Sequence, residues 1–376
     1  MSLADRIAVY RDIEAHRKRP LIVYVTSKRQ GCEVSMASDA LPWIIDQVDK
    51  LPQDADAVDF LIASYGGDPM VAWRVSSILR QRVNHVAVLV PQSAYSAATL
   101  LAFGANKIVM HPHGHLGPVD MQITAFGDQG RKQFSTEDIT AFVDFVRDSL
   151  RITDQEHLRV LFEVVCREVG SLGIGFTVRS SKLAVDLGER LLALHMTDDD
   201  TRTKLRTIVQ NMSRKFQSHS YPVSRLEALD AGLQVEEERD LVLEGLMWKA
   251  WKMIETDLEE NEPFEPLFLV LNSPEASKLL APVPLLLMPM STSAVASYQT
   301  TMTDVTNASN QTVNPVDFEY SSAIVESTRL AASHITMGKI LATRTPDLMI
   351  QYNTVMVSRK WEAVEVPAGT KNGGIQ

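Results

Sequence analysis

Ser96 is the residue whose setting points most directly to chemistry. It lies in PQSAYSAA, Pro91–Ala98, after the apolar run Val86–Val90 and before the apolar segment Thr99–Phe103, which stops at Gly104. That order reads as a buried strand, a tight turn and a helix, with a short strand, Lys107–Met110, to follow. A small polar residue at such a turn is presented at a helix N-terminus, where free backbone N–H groups and the helix dipole favour negative charge. A serine so placed can act as a nucleophile whose oxyanion is held by the N–H of the next residue, here Ala97. The same position also suits a plain N-cap, so a partner is needed.

That partner is DFLIASYGGD, Asp59–Asp68. Asp59–Ala63 reads as a short apolar strand, broken by Ser64-Tyr65-Gly66-Gly67, and a helical pattern follows with Val71, Val75, Ile78 and Leu79 on one face. Two adjacent glycines after a strand permit unusual backbone angles and close approach, and their N–H groups can point into a site. Alone this is an ordinary strand–helix turn. Two strand–turn–helix units in series, Gly66-Gly67 on the first and Ser96 on the second, form a more specific pattern.

Other residues were weighed for chemistry. His111, His113 and His115 alternate and would share one face of a strand, but no cysteine or carboxylate accompanies them at a known metal-ligand spacing. They read as a polar loop, and neither a metal nor a cofactor is called for. Gly170–Gly175 lacks the lysine of a phosphate loop and reads as a turn. Trp248 and Trp251 read as packing residues.

The elements that must position Ser96 follow the same logic. Residues 2–17 read as a helix, Leu21–Val25 as a strand, Lys28–Ser38 as a polar loop, Leu41–Val48 as a helix, Ala57–Ala63 as a strand and Pro69–Gln81 as a helix. Strands alternating with helices predict βαβ units and a largely parallel sheet. Gly127–Gly130 reads as a surface turn. Thr136–Leu150, Gln155–Val169, Ser180–Leu194 and Thr201–Phe216 read as helices forming an arm or cap. Glu236–Glu262 reads as a linking helix, and Glu262–Pro266 as a boundary after which composition shifts. Beyond it Leu267–Leu271 reads as a strand, Ala281–Pro289 as a proline-rich apolar stretch, Thr292–Thr312 as Ser/Thr/Asn-rich, Phe318–Leu341 as a helix, Leu348–Ser358 as a strand and Gly369–Gln376 as a disordered tail.

Composition narrows the class. The 376 residues suit about two domains, with 45% hydrophobic and 22% charged residues. A net charge of −10 argues against general nucleic-acid binding, which wants a basic footprint. Two cysteines, Cys32 and Cys166, imply no disulfide framework and suit a reducing cytoplasm. The N-terminal stretch carries no signal-peptide apolar region, and no apolar run reaches the ~18–20 residues of a membrane span.

SYGGD, SAYSAATLLAFGANKIVM and HLGPVD together resemble the Clp-protease/crotonase superfamily, and most nearly its serine dehydrogenase proteinase group, relatives of signal peptide peptidase A. The resemblance covers roughly residues 1–235. The chain departs from the family pattern at Tyr65, where proline is usual, and at Ala98, where glycine is usual. Phe216–Val235 resembles the superfamily's closing segment, with Glu227-Ala228 and Gly232-Leu233, and carries His219-Ser220-Tyr221-Pro222 near the group's His-Asp-Tyr-Pro run.

The resemblance implies an α/β fold, a Clp/crotonase-like spiral of βαβ units with a helical arm, plus a C-terminal extension. It implies a serine peptidase domain over 1–235, then the linking helix 236–262 and a C-terminal module 263–376. Ser96 is the implied nucleophile, with Gly66, Gly67 and Ala97 supplying the oxyanion hole. His219 would be the general base and Asp120 its orienting acid, the two exchanged in position relative to Clp-type relatives. Lys182 and Lys132 are rival bases, because signal-peptide-peptidase relatives use a Ser–Lys dyad. The implied substrate is a protein or peptide, and the implied assembly a homo-oligomer. A crotonase-like acyl-CoA enzyme and a catalytically silent scaffold are the competing readings.

Overall fold

The chain is seen in a computed structural model that describes residues 2–119, 123–127, 130–214, 216, 218, 220–282, 302–307, 309–345 and 347–367. Helix α1 (Leu3–Arg17) starts at a capping box in which Ser2 and Asp5 bond each other's backbone N–H. It leads to β1 (Leu21–Thr26), α2 (Leu41–Asp49), β2 (Ala57–Ala63), α3 (Pro69–Arg82) and β3 (His85–Val90). Then come β4 (Ser93–Ala94), α4 (Ala97–Phe103), β5 (Lys107–Met110) and β6 (His115–Leu116). β1, β2, β3 and β5 pair in parallel, in that spatial order. β1 is buried along its whole length and β2 and β3 nearly so, as expected where helices cover both faces of a parallel sheet. α2, α3 and α4 pack on one face, and α1 with α11 (Leu241–Asp257) on the other. The spiral of βαβ units expected from the sequence is present.

A hairpin, β7 (Ile123–Gly127) and β8 (Gly130–Phe134), follows, and Gly127 and Gly130 pair at its tip, where a turn was expected. Helices α5 (Thr136–Asp144), α6 (Gln155–Val169), α7 (Ser171–Leu192), α8 (Asp199–Arg202) and α9 (Leu205–Arg214) make the arm. Its inner part, Ala184, Leu191, Ile208, Val209 and Met212, joins the main core. α10 (Arg225–Asp230) closes the site end of the sheet, starting at a second capping box, Ser224 with Glu227.

The C-terminal region departs from expectation. Pro266–Leu271, read as a strand, is helix α12, opened by Pro266 at its first position. A short helix α13 (Ala276–Leu279) and strand β9 (Gln311–Thr312) follow. Phe318–Leu341, read as a helix, is instead two long strands, β10 (Val316–Glu326) and β11 (Ala331–Arg344), joined by a tight turn. β12 (Ile350–Val364) matches the expected strand and extends past it. β10 pairs antiparallel with β1. The sheet therefore crosses the boundary drawn at residue 263 and runs to eight strands. What joins the two parts is a buried network. Arg6 of α1 donates to Glu326 at 3.0 and 2.6 Å, and the Tyr10 hydroxyl donates to the same carboxylate at 2.7 Å. Arg329 bonds Glu14 at 2.7 Å and the Leu21 carbonyl at 2.8 Å. The proline-rich and Ser/Thr/Asn-rich stretches lie largely, and the terminal tail wholly, outside the described residues.

Candidate active site

The C-terminal ends of β1, β2 and β3 gather the site. Ser64, just past β2, takes part in two backbone bonds with the turn that carries Ser96: Ser64 N–H donates to Ser93 O and Tyr95 N–H donates to Ser64 O, each at 2.9 Å. β4 in turn pairs with β6. Three loops are thereby held against one another around Ser96.

Ser96 has φ +51° and ψ −113°, a left-handed conformation rare for a residue with a side chain. It stands at the N-cap of α4, yet its hydroxyl caps no N–H. The plain N-cap role is thus not the one it plays. It is a strained residue at a strand-to-helix turn whose hydroxyl bonds no described residue, and such strain gathers at functional sites. Ala98, the departure two positions on, sits buried in α4 with its N–H bonded to Tyr95 O at 2.9 Å. Its φ is not in the left-handed region, so the helix accepts alanine there without strain.

Gly66 has φ +94°, and a Cβ there would lie 2.8 Å from the Ser96 Cβ and 2.6 Å from Tyr95 O. Only glycine lets this loop pass so close to Ser96. The Gly66 N–H is committed to the Ser64 hydroxyl at 3.0 Å. Gly67 is bracketed by Met36, whose N–H donates to Gly66 O and whose carbonyl accepts from Asp68 N–H. In that parallel pairing the N–H of Gly67 itself turns away from Met36. Neither it nor the N–H of Ala97 donates a hydrogen bond to any described residue. Of the three expected oxyanion-hole positions, Gly67 and Ala97 are the two with a free donor.

Asp120 and His219 both lie outside the described residues. Their neighbours are described. Leu116 and Val223 form a two-bond antiparallel bridge, at 3.0 and 2.8 Å. The Tyr95 hydroxyl, beside Ser96, donates to Ser220 O at 3.5 Å. Lys182 stands exposed on α7 and has no hydrogen bond to Ser96. Lys132 lies on β8, and its side chain is not described.

Two groups near the site went unnoticed as bases in the sequence. Lys28, in the loop after β1, places its ammonium 5.9 Å from the Tyr65 ring centre and 5.1 Å from that of Trp251. Burial pushes its pKa down, with Glu260 and Glu255 opposing. His115 sets its ring edge-on to Tyr95 at 5.3 Å, and burial lowers its pKa too. The available signal was position: Lys28 follows the C-terminal end of a parallel strand, where sites in such sheets gather. His111 and His113 instead pack on Trp248, at 5.0 and 5.4 Å. Among the described residues no group of three or more His, Cys, Asp or Glu could hold a metal ion, and no helix is long and apolar enough to cross a membrane.

Comparisons with known proteins match parts of the chain. Two uncharacterized proteins of Methanocaldococcus jannaschii are similar over short stretches. One is 34% identical over 80 residues, which is 21% of this chain and 28% of that protein. The other is 31% identical over 72 residues, 19% of this chain and 24% of that protein. The chain thus spans about a quarter of the length of these curated relatives. Among solved structures, a mutant of a membrane-bound stomatin-specific protease aligns at 15% identity and TM-score 0.34, over 58% of this chain and 81% of that one. A probable enoyl-CoA hydratase/isomerase from Mycobacterium abscessus aligns at 12% identity and TM-score 0.22, over 66% of this chain and 96% of that one. Over residues 3–131, which hold Gly66, Gly67 and Ser96, the chain matches the family model of ClpP-like SDH-type serine proteinases, and over that range its α/β architecture is Clp-like.

Proposed function

We propose that this chain is a serine peptidase that cleaves peptide bonds through an acyl-enzyme on Ser96. The observation that carries the reading is the strained, uncapped Ser96 beside two unengaged N–H groups, Gly67 and Ala97. A serine hydroxyl needs a base within hydrogen-bond reach, and His219 with Asp120 is the pair we assign. The Leu116–Val223 bridge supports it, because in sequence Leu116 stands four residues before Asp120 and Val223 four residues after His219. The Tyr95–Ser220 contact brings the neighbour of His219 to the neighbour of Ser96. Lys28 is the second reading, favoured by its half-buried place over the Tyr65 and Trp251 rings.

Covalent labelling by a fluorophosphonate probe separates these. His219→Ala is expected to abolish labelling at neutral pH, Asp120→Asn to weaken it less, and Lys28→Met and Lys182→Ala to leave it within a few-fold of wild type. Loss of labelling in Lys28→Met with His219→Ala unaffected would reverse the assignment. A protein that never labels and hydrolyses no casein would be a silent scaffold.

We further propose a cytoplasmic homo-oligomer assembled through the arm. Its helices expose Phe145, Phe162 (59%), Leu172 (89%) and Phe176, more apolar surface than a solitary arm holds comfortably in water. Light scattering is expected to return a multiple of the 41.8 kDa chain mass. Phe162→Asp with Leu172→Asp should shift that mass toward the monomer. A monomer across micromolar concentrations overturns the proposal.

A further inference from the structure

A second recess lies on the far side of the Met36–Gly67 pairing from Ser96's turn, between segment 33–39 and the C-terminal strands. Its volume is about 350 Å³, within the roughly 300–1,000 Å³ of ligand sites. One wall is sheet. Ala323, His334 and Trp361 are successive cross-strand neighbours on β10, β11 and β12, and Arg359 lies two residues before Trp361 on the same face of β12. The other wall carries Glu33 and Asp39.

These groups are held in place. Trp361 Nε1 donates to the Asp39 carboxylate at 3.0 Å, and its ring meets His334 edge-on at 5.4 Å. The Ser322 hydroxyl bonds His334 Nδ1 at 2.7 Å. Nε2 is then left toward Asp39, at 3.7 Å, and the Ser322 hydroxyl also donates to the His334 carbonyl at 3.3 Å. This Ser–His–Asp array is not a second nucleophile, because Ser322 is fully buried and meets no solvent. Arg359 is exposed and forms no ion pair with a described residue, and among the described residues Glu33 bonds only the Gly31 N–H. A cation on the sheet wall thus faces carboxylates on the loop wall without either neutralising the other.

We propose that this pocket binds a short peptide by its two charged ends, the terminal carboxylate on Arg359 and the terminal ammonium between Glu33 and Asp39, along the face of Trp361. Opposite walls of opposite charge match a zwitterion and disfavour a plain anion or cation, each of which would meet one repulsive wall. The inference rests on the peptidase reading only for the source of the ligand, short peptides being what a peptidase releases.

Titration calorimetry on the full-length Ser96→Ala protein, which cannot turn the ligand over, tests it with trialanine as probe. Saturable one-to-one binding is expected. Blocking either end, as N-acetyl-trialanine or trialanine amide, is expected to weaken it about tenfold or more, the scale of a lost charge-assisted bond. In Arg359→Gln the free acid should bind about as weakly as the amide, and in Glu33→Gln the free amine about as weakly as the acetylated form. Both side chains are exposed, so neither variant threatens the fold. No saturable binding of trialanine overturns the proposal, as does binding that both variants leave unchanged. Because Ser96 is absent from the test, neither result depends on whether the protein labels with fluorophosphonate.

Discussion

Ser96→Ala is expected to abolish fluorophosphonate labelling and peptide hydrolysis while leaving the circular dichroism spectrum unchanged. The side chain is partly exposed and caps nothing, so its loss removes no structural bond. Ser96→Gly sharpens the result. A non-glycine residue in a sparsely populated conformation costs of order 1–3 kcal/mol. Glycine relieves that at φ +51°, so Ser96→Gly should melt higher than wild type by a few degrees while being equally inactive. A nucleophile held at the expense of stability predicts this opposition of stability and activity, whereas a structural serine predicts a lower melting point. Gly66→Ala addresses the same loop from the other side. Its Cβ would lie 2.8 Å from the Ser96 Cβ, and glycine's freedom at φ +94° would be lost. Displacement of the turn from the Ala97 and Gly67 donors should lower the labelling rate by roughly 10²–10³, the range for one lost oxyanion-hole donor. Labelling at the wild-type rate in Ser96→Ala would end the serine peptidase reading.

Glu326→Ala should be the most destabilising single change. Its carboxylate accepts from Arg6 twice and from Tyr10 once, and all three side chains are buried. Removing it leaves the Arg6 guanidinium with Asp257 alone, at 3.0 Å, and leaves the Tyr10 hydroxyl without an acceptor. Breaking a buried pair from one side costs roughly 3–5 kcal/mol. The effect should be a fall of at least about 5 °C in melting temperature, with Glu326→Gln falling less because it can still accept from Tyr10. The same reasoning governs truncation. A chain ending near Glu260 lacks β10, so one edge of β1 is left with unpaired backbone groups over a buried apolar strand. It should be insoluble or aggregate. A soluble, labelling-competent 1–260 fragment would show that the C-terminal strands are dispensable after all.

How much of this was legible follows from where the determining contacts lie. The strands at 57–63 and 107–110 match the structure residue for residue, and the main helices and strands up to residue 110 match to within a residue or two, whereas the hairpin β7–β8 was not expected and Gly170–Gly175, read as a turn, opens helix α7, which starts nine residues before the expected Ser180. Up to residue 110 each element declares itself locally: an apolar run of strand length, a proline or glycine at its end, a helical stripe behind it. The Gly66-Gly67 and Ser96 turns were visible for the same reason, since residue type alone limits what backbone such turns can adopt. That Ser96 is strained and uncapped was not visible, because the strain is imposed by Ser64 bonding Ser93 and Tyr95, some thirty residues away in sequence. Nor was the commitment of the Gly66 N–H to Ser64, or the place of Lys28 over Tyr65 and Trp251, which depends on α11 folding back across the sheet. The misread C-terminal region makes the point most plainly. Val316–Glu326 alternates apolar and polar residues at its start, then runs through Ser321-Ser322-Ala323, whose intrinsic preferences decide little. What makes it a strand is β1, roughly three hundred residues away, whose open edge it fills, and Glu326, which it delivers to Arg6 and Tyr10. The sequence alone determined the βαβ framework and the residue type at its turns. Tertiary pairing decided the strain at Ser96, the donors left free beside it and the union of the two ends of the chain in one sheet, because each depends on contacts that no local window contains.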